Sequence, residues 1–281
     1  MGLIPRKLNT GLIGWLSKEI YDPPHPTYYN YEQMKYEVRV GDVLLVEGRS
    51  RISRVINWIS SSPWTHAALY IGRLYDIQDP HLRQLVYKHY QGAPEEQLVI
   101  ESLLGKGVIV TPLSFYRKHH VRICRPRGLN FDSAQKVSGY VIARLGVQYS
   151  LRHIFDLARF LFPWPILPRQ WRSSLFAYQA GVQTRLSCSL LIAEAFASIK
   201  FPLLPLVQEK GDKGLEFIRR NPTLFTPSDF DYSPYFDIIK YPLVGSQSAA
   251  PYENIPWAED GIFSNDHGKI MNLKSSQKDE K

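Results

Sequence analysis

Two cysteines in 281 residues leave no material for a disulfide framework, and neither Cys124 nor Cys188 has Cys or His neighbours at structural-zinc spacing. A small secreted disulfide scaffold is therefore excluded. No apolar run reaches the roughly 18 residues that span a bilayer. The N-terminus carries Arg6 and Lys7, then an apolar stretch broken by Asn9, Thr10 and Gly11, without the small-residue cleavage site of a conventional signal peptide. No cysteine near the start can take a lipid, and Met1-Gly2 lacks the Ser or Thr at position 6 that favours myristoylation. Internal repeats are absent as well. The expectation is a cytoplasmic or peripheral membrane protein with no transmembrane helix.

What is present is a globular composition. Hydrophobic residues at 44% and charged residues at 21% exclude a wholly disordered chain, and the length suits one domain with extensions. Aromatics at 13% and a net charge of +8 describe a surface able to meet nucleic acid, anionic lipid or an acidic polymer, and composition does not choose among them.

Residues 1–40 read as an N-terminal extension, with an amphipathic helix over Leu8 to Ile20 followed by a Pro- and Tyr-rich stretch that forbids a regular element. A domain over 41–244 follows. Val43 to Val46, Ala67 to Ile71, Leu98 to Leu103, Val108 to Val110 and Val121 to Cys124 are strand-like, and the Gly105 to Gly107 turn is too short for anything but an antiparallel hairpin. Ser50 to Ile59 has apolar residues at helical spacing. Asp132 to Gln135 has the form of a capping box opening a helix to about Leu145. Ser187 caps a helix from Cys188 to about Ile199 that is apolar nearly all round and therefore buried. Residues 245–281 read as a polar tail.

Cys188 falls in the first turn of that buried helix, where unpaired N–H groups and the positive end of the dipole favour a thiolate. Plain apolar packing is the alternative. His66 opens a strand and shares one face with Ala68 and Tyr70, so a rigid element presents it among small neighbours. Glu101 interrupts an apolar strand, where a carboxylate is expensive without a partner. If the two strands are adjacent, Glu101 orients one imidazole nitrogen while the other faces the thiol, which is the logic of nucleophile, base and orienter. A salt bridge or an exposed edge would also account for it.

Together the phrases Gly41-Asp42-Val-Leu-Leu, Thr65-His66-Ala-Ala-Leu-Tyr-Ile-Gly72, Val99-Ile-Glu101-Ser, Leu145-Gly146-Val-Gln-Tyr149-Ser and Ser187-Cys188-Ser-Leu-Leu-Ile resemble the permuted papain-like amidases. These form the YiiX/YebB-like branch of the NlpC-type cysteine peptidase superfamily, and the lecithin retinol acyltransferase group shares their histidine-first order. The resemblance runs over about residues 40–240 and includes Thr226-Pro-Ser-Asp-Phe230. It implies an α+β fold in which an antiparallel sheet packs against helices and a buried helix carries the nucleophile. The roles it implies are nucleophile for Cys188, base for His66 and orienting carboxylate for Glu101. Tyr149 matches a tyrosine near the substrate cleft and is a candidate oxyanion or substrate contact, with core packing as its alternative. The implied reaction is thiol-dependent hydrolysis of amide, peptide-like bonds through a thioester, with no cofactor and no metal.

An aromatic insertion at about 151–182 interrupts this pattern. Residues 157–178 are rich in aromatic and apolar side chains and carry Arg159, Arg169 and Arg172; they read as a lid, an interfacial patch or an ordinary subdomain core. With the N-terminal helix, they are the candidate contact with an anionic membrane. The rival functions are accordingly a lipid-acting acyl hydrolase or acyltransferase, and a catalytically silent binding protein on the same fold. The basic run Arg117 to Arg127 is read as a solvated strand edge or a phosphate contact, with Cys124 packed inward. Nucleic acid is disfavoured as a partner, because the aromatic residues concentrate in the N-terminal extension and the insertion.

Overall fold

A computed structural model describes residues 30–147, 187–210 and 214–240, together with Lys18 and the stretches 262–264 and 270–272. The N-terminal helix expected over residues 8–20, the insertion at 151–182 with Tyr149, and most of the tail lie outside the described residues. Within the tail, Ile262–Ser264 and Ile270–Asn272 pair as a short antiparallel ribbon.

Short apolar runs, only one pair of which is joined by a tight turn, build a six-stranded sheet. Its strands are β1 (Val43–Val46), β2 (His66–Gly72), β3 (Leu98–Leu103), β4 (Gly107–Pro112), β5 (Val121–Pro126) and β8 (Phe236–Ile239). They lie in the order β4-β3-β2-β1-β5-β8 with every neighbouring pair antiparallel. Strands β6 (Leu206–Glu209) and β7 (Leu215–Ile218) form a separate hairpin.

Side-chain alternation splits the sheet into two apolar faces. Leu45, Leu69, Ile71, Ile100 and Cys124 face α3 (Pro80–His89), α4 (Phe131–Ile142) and α5 (Cys188–Ser198). Leu44, Ala68, Tyr70, Val99 and Ile123 form the opposite face, covered by Met34 of α1 (Tyr31–Glu37) and by Leu113 and Tyr116 of the 3-10 turn Leu113–Lys118. Part of the segment expected as an extension thus seals the sheet: Asn30 caps α1 by accepting from the Glu32 N–H at 3.0 Å, and Met34 is fully buried.

Helix α2 (Arg51–Ser60) begins at Ser50, whose hydroxyl accepts from the Ser53 N–H, as its stripe predicts. Helix α4 differs from expectation. Asn130, not Asp132, is its cap, because the Asn130 side-chain oxygen accepts from the Ser133 N–H at 2.9 Å, and the helix ends at Ile142. Strand β5 is not a free edge, since β8 pairs with it. Its cations are neutralised locally: Arg122 meets Asp231 at 2.7 Å, Arg125 meets buried Asp42 at 2.8 Å and Arg127 meets Asp237 at 2.6 Å.

Candidate active site

The sheet brings two of the candidate residues together directly. Strands β2 and β3 pair with Ala68 opposite Glu101, so His66 and Glu101 point from the same face, one step apart along the diagonal. The His66 Nε2–Glu101 Oε2 distance is 2.6 Å. Glu101 is only 1% exposed and His66 16%, so this contact sits largely out of water.

Helix α5 delivers the third residue. Ser187 caps it by accepting from the Leu190 N–H at 3.3 Å, and the Ser189 hydroxyl donates to the Phe225 carbonyl at 2.6 Å, which ties down the first turn. Residues Leu190 to Phe196 bury the rest of the helix in the core. Cys188 is thereby held at the first helical position, 7% exposed, in the same cleft as His66. Nε2 is committed to Glu101, so Nδ1 is the ring nitrogen not engaged by the carboxylate.

Two further residues complete the arrangement. The Thr111 hydroxyl donates to Glu101 Oε1, and the Tyr116 hydroxyl donates to Glu101 Oε2 at 2.6 Å. Both carboxylate oxygens are thus satisfied in the interior, the condition on which a buried charge is tolerated.

The electrostatics follow from these contacts. Burial pushes the Cys188 thiol up, but the hydrogen bond and charge of His66, with the N–H groups of Ala67 and Ser189, bring it below its ordinary 9.0. Burial likewise opposes charge on His66, yet its contacts with Cys188 and then Glu101 raise it from 6.5 to about 10. Glu101 is held below its usual 4.5, because His66, Thr111 and Tyr116 together outweigh its desolvation. The directions of all three shifts favour the charged forms, the condition that a thiol nucleophile beside a proton donor requires.

Of the four candidate residues, the structure therefore gathers His66, Glu101 and Cys188 at one cleft, while Tyr149 lies outside the described residues. Among the described residues, no group of three or more His, Cys, Asp or Glu is placed to hold a metal ion. No described helix is long and apolar enough to cross a membrane.

Residues 37–159 match the model of the permuted papain-like amidase enzymes, the YaeF/YiiX, C92 family. Among solved structures, the chain is similar to the metalloprotein YiiX from Escherichia coli O157:H7, with 15% identity, a TM-score of 0.44, and coverage of 73% of this chain and 98% of that one. No curated protein matches it.

Proposed function

We propose, on the premise that residues 37–159 are of the permuted papain-like amidase family, that the protein cleaves amide, peptide-like bonds by thiol catalysis. The observation that carries this reading is the meeting of Cys188, His66 and Glu101 at one cleft, with His66 held by Glu101 at 2.6 Å. The Cys188 thiolate attacks the carbonyl carbon, forming an S–C bond. The Cys188 N–H, at the unpaired start of α5, faces the developing oxyanion. When the tetrahedral species collapses, the C–N bond breaks and the His66 proton leaves with the amine. Water, deprotonated by His66, then cleaves the thioester and restores the thiol. Glu101 fixes the ring and stabilises its positive charge throughout. Tyr149, outside the described residues, is carried over from the family resemblance as a candidate substrate or oxyanion contact.

Incubating wild type and Cys188→Ala with pools of peptides and acyl amides, followed by intact-mass detection of an acyl-enzyme, tests this. A thioester adduct on wild type alone is expected. Products formed equally by both proteins would overturn the reading.

A second reading, acyl hydrolysis or transfer at a membrane surface, has one observation in its favour. Val207 and Phe217 pair across the β6–β7 hairpin, share a face with Leu215, and all three are exposed. Such a patch fits insertion among lipid headgroups. Sedimentation with phosphatidylglycerol vesicles, lost in Val207→Asp/Phe217→Asp, would favour it, and no sedimentation of wild type would remove its support.

A further inference from the structure

The cleft at Cys188 has a volume of about 270 Å³, just under the ~300 Å³ at which small-molecule pockets begin. It suits a short acyl or single-residue group. Two features of its lining stand out beside the hydroxyl and imidazole groups. Ile56, Leu103, Leu104 and Phe115 provide apolar surface, and Arg49 and Lys106 provide positive charge. Among the described lining residues Glu101 is the sole carboxylate, and it is engaged by His66, Thr111 and Tyr116.

The sheet explains where the cations stand. Val46 of β1 lies beside His66. On the other side of β2, Ala68 pairs with Glu101, and continuing that register by two residues brings Leu103 beside His66. The chain leaves the sheet after both, and three residues further on each segment carries a cation, Arg49 after Val46 and Lys106 after Leu103. The strand presenting His66 is therefore flanked by a positive charge on either side.

Arg49 is also held in place. The Gly48 N–H donates to Thr65 Oγ1 at 2.9 Å. A Cβ at Gly48 would fall 2.2 Å from Ser53 Oγ and 2.7 Å from Thr65 Oγ1, so only glycine permits this approach. Arg49 Nη2 then donates to the Lys118 carbonyl at 2.7 Å. A neutral acceptor orients the guanidinium without cancelling its charge. Among the described residues neither Arg49 nor Lys106 joins an ion pair. Uncancelled cations at the mouth of a concave, partly apolar cleft concentrate anions there.

We propose that the substrate carries an anionic group, carboxylate or phosphate, beside a short apolar arm, with Arg49 and Lys106 holding the anion while the apolar wall receives the arm. The inference rests on Cys188 being the nucleophile. The bond changes are those given above, and the anion is a handle that the reaction leaves intact.

Iodoacetate and iodoacetamide differ in charge and little in size, so their relative rates at Cys188 read the field of the cleft. Peptide mass spectrometry would follow both reagents on the full-length wild type, on Arg49→Gln/Lys106→Gln, and on Lys88→Gln/Lys136→Gln as a control of equal net charge. The iodoacetate-to-iodoacetamide rate ratio should fall roughly three- to tenfold in the first variant and stay nearly constant in the control. An unchanged ratio, or an equal fall in the control, would overturn the proposal. The iodoacetamide rate serves as the folding check, and Lys106→Gln alone, on an exposed turn, should retain part of the effect. At matched ionic strength, glutarate or inorganic phosphate should slow iodoacetate on wild type and not on the double variant, the stronger of the two identifying the anion. Protection by neither would also overturn the proposal. Failure of iodoacetamide to label wild-type Cys188 would instead contradict the thiol reading beneath it.

Discussion

Cys124 and Cys188 are both buried, yet their surroundings drive their thiols in opposite directions. Cys124 sits in the middle of β5 facing the core, where burial, followed by the nearby Asp231 charge, pushes its thiol far above the ordinary value. Cys188 sits where a helix begins, and there His66 and two backbone N–H groups reverse the effect of burial. Burial alone makes a thiol inert. A donor and a positive charge placed within the same dry interior lower the thiol instead, which is what the proposed nucleophile needs.

The sharpest break of that contrast is removal of either sulfur. Cys188→Ala should lower amide hydrolysis by at least about 10⁴-fold while Cys124→Ala leaves it near wild type, measured as initial rates on a peptide amide. Next in size is the imidazole. His66→Ala should cost roughly 10³-fold and return Cys188 to the behaviour of a buried thiol, so that its alkylation disappears near neutral pH. Glu101→Gln should cost about 10²- to 10³-fold and lower the pH at which the ring loses its proton, seen by NMR titration of His66. Tyr116→Phe removes one hydrogen bond from a buried carboxylate and should cost about 1.5–3 kcal/mol of stability by denaturant unfolding, with a smaller, upward shift in the His66 titration as the more basic carboxylate holds the ring's proton more tightly. A stability loss without any shift would make Tyr116 a packing residue only. Smallest is the helix cap: Asn130→Ala should cost about 1 kcal/mol and leave thiol reactivity untouched.

Much of this arrangement is legible in the amino-acid sequence. Alternation in β2 places His66 on one face, the interruption of an apolar run singles out Glu101, and Ser187 marks the helix start that carries Cys188. Each signal is local, spanning a few residues. Thr111 and Tyr116 give no such signal. Their importance depends on β4 lying against β3 and on a 3-10 turn folding back over the sheet, both properties of register and tertiary packing. The same limit applies to the basic run of β5. Its charges meet Asp42, Asp231 and Asp237, two of them more than a hundred residues away in the chain, so a solvated edge is the natural expectation from sequence. The cap of α4 is misplaced for a different reason, because Asn130 and Asp132 are both good caps two residues apart and only geometry separates them. Helix α1 is hidden by its setting: a single fully buried side chain, Met34, anchors a short helix next to a Pro-rich stretch.

In the proposed mechanism Cys188 is already a thiolate held by an imidazolium. Both directions of shift set the expected pH behaviour. A lowered thiol keeps its reactive form as pH falls below 9.0 and loses it only on passing the lowered value, and His66 keeps its proton up to about 10. The direct measurement is the iodoacetamide rate at each cysteine of the native protein across pH, resolved by peptide mass spectrometry. Labelling of Cys188 at about pH 6, with Cys124 unmodified, is the predicted result. Labelling of Cys188 that rises only as pH approaches the value of an ordinary thiol, or equal labelling of the two cysteines, would contradict it.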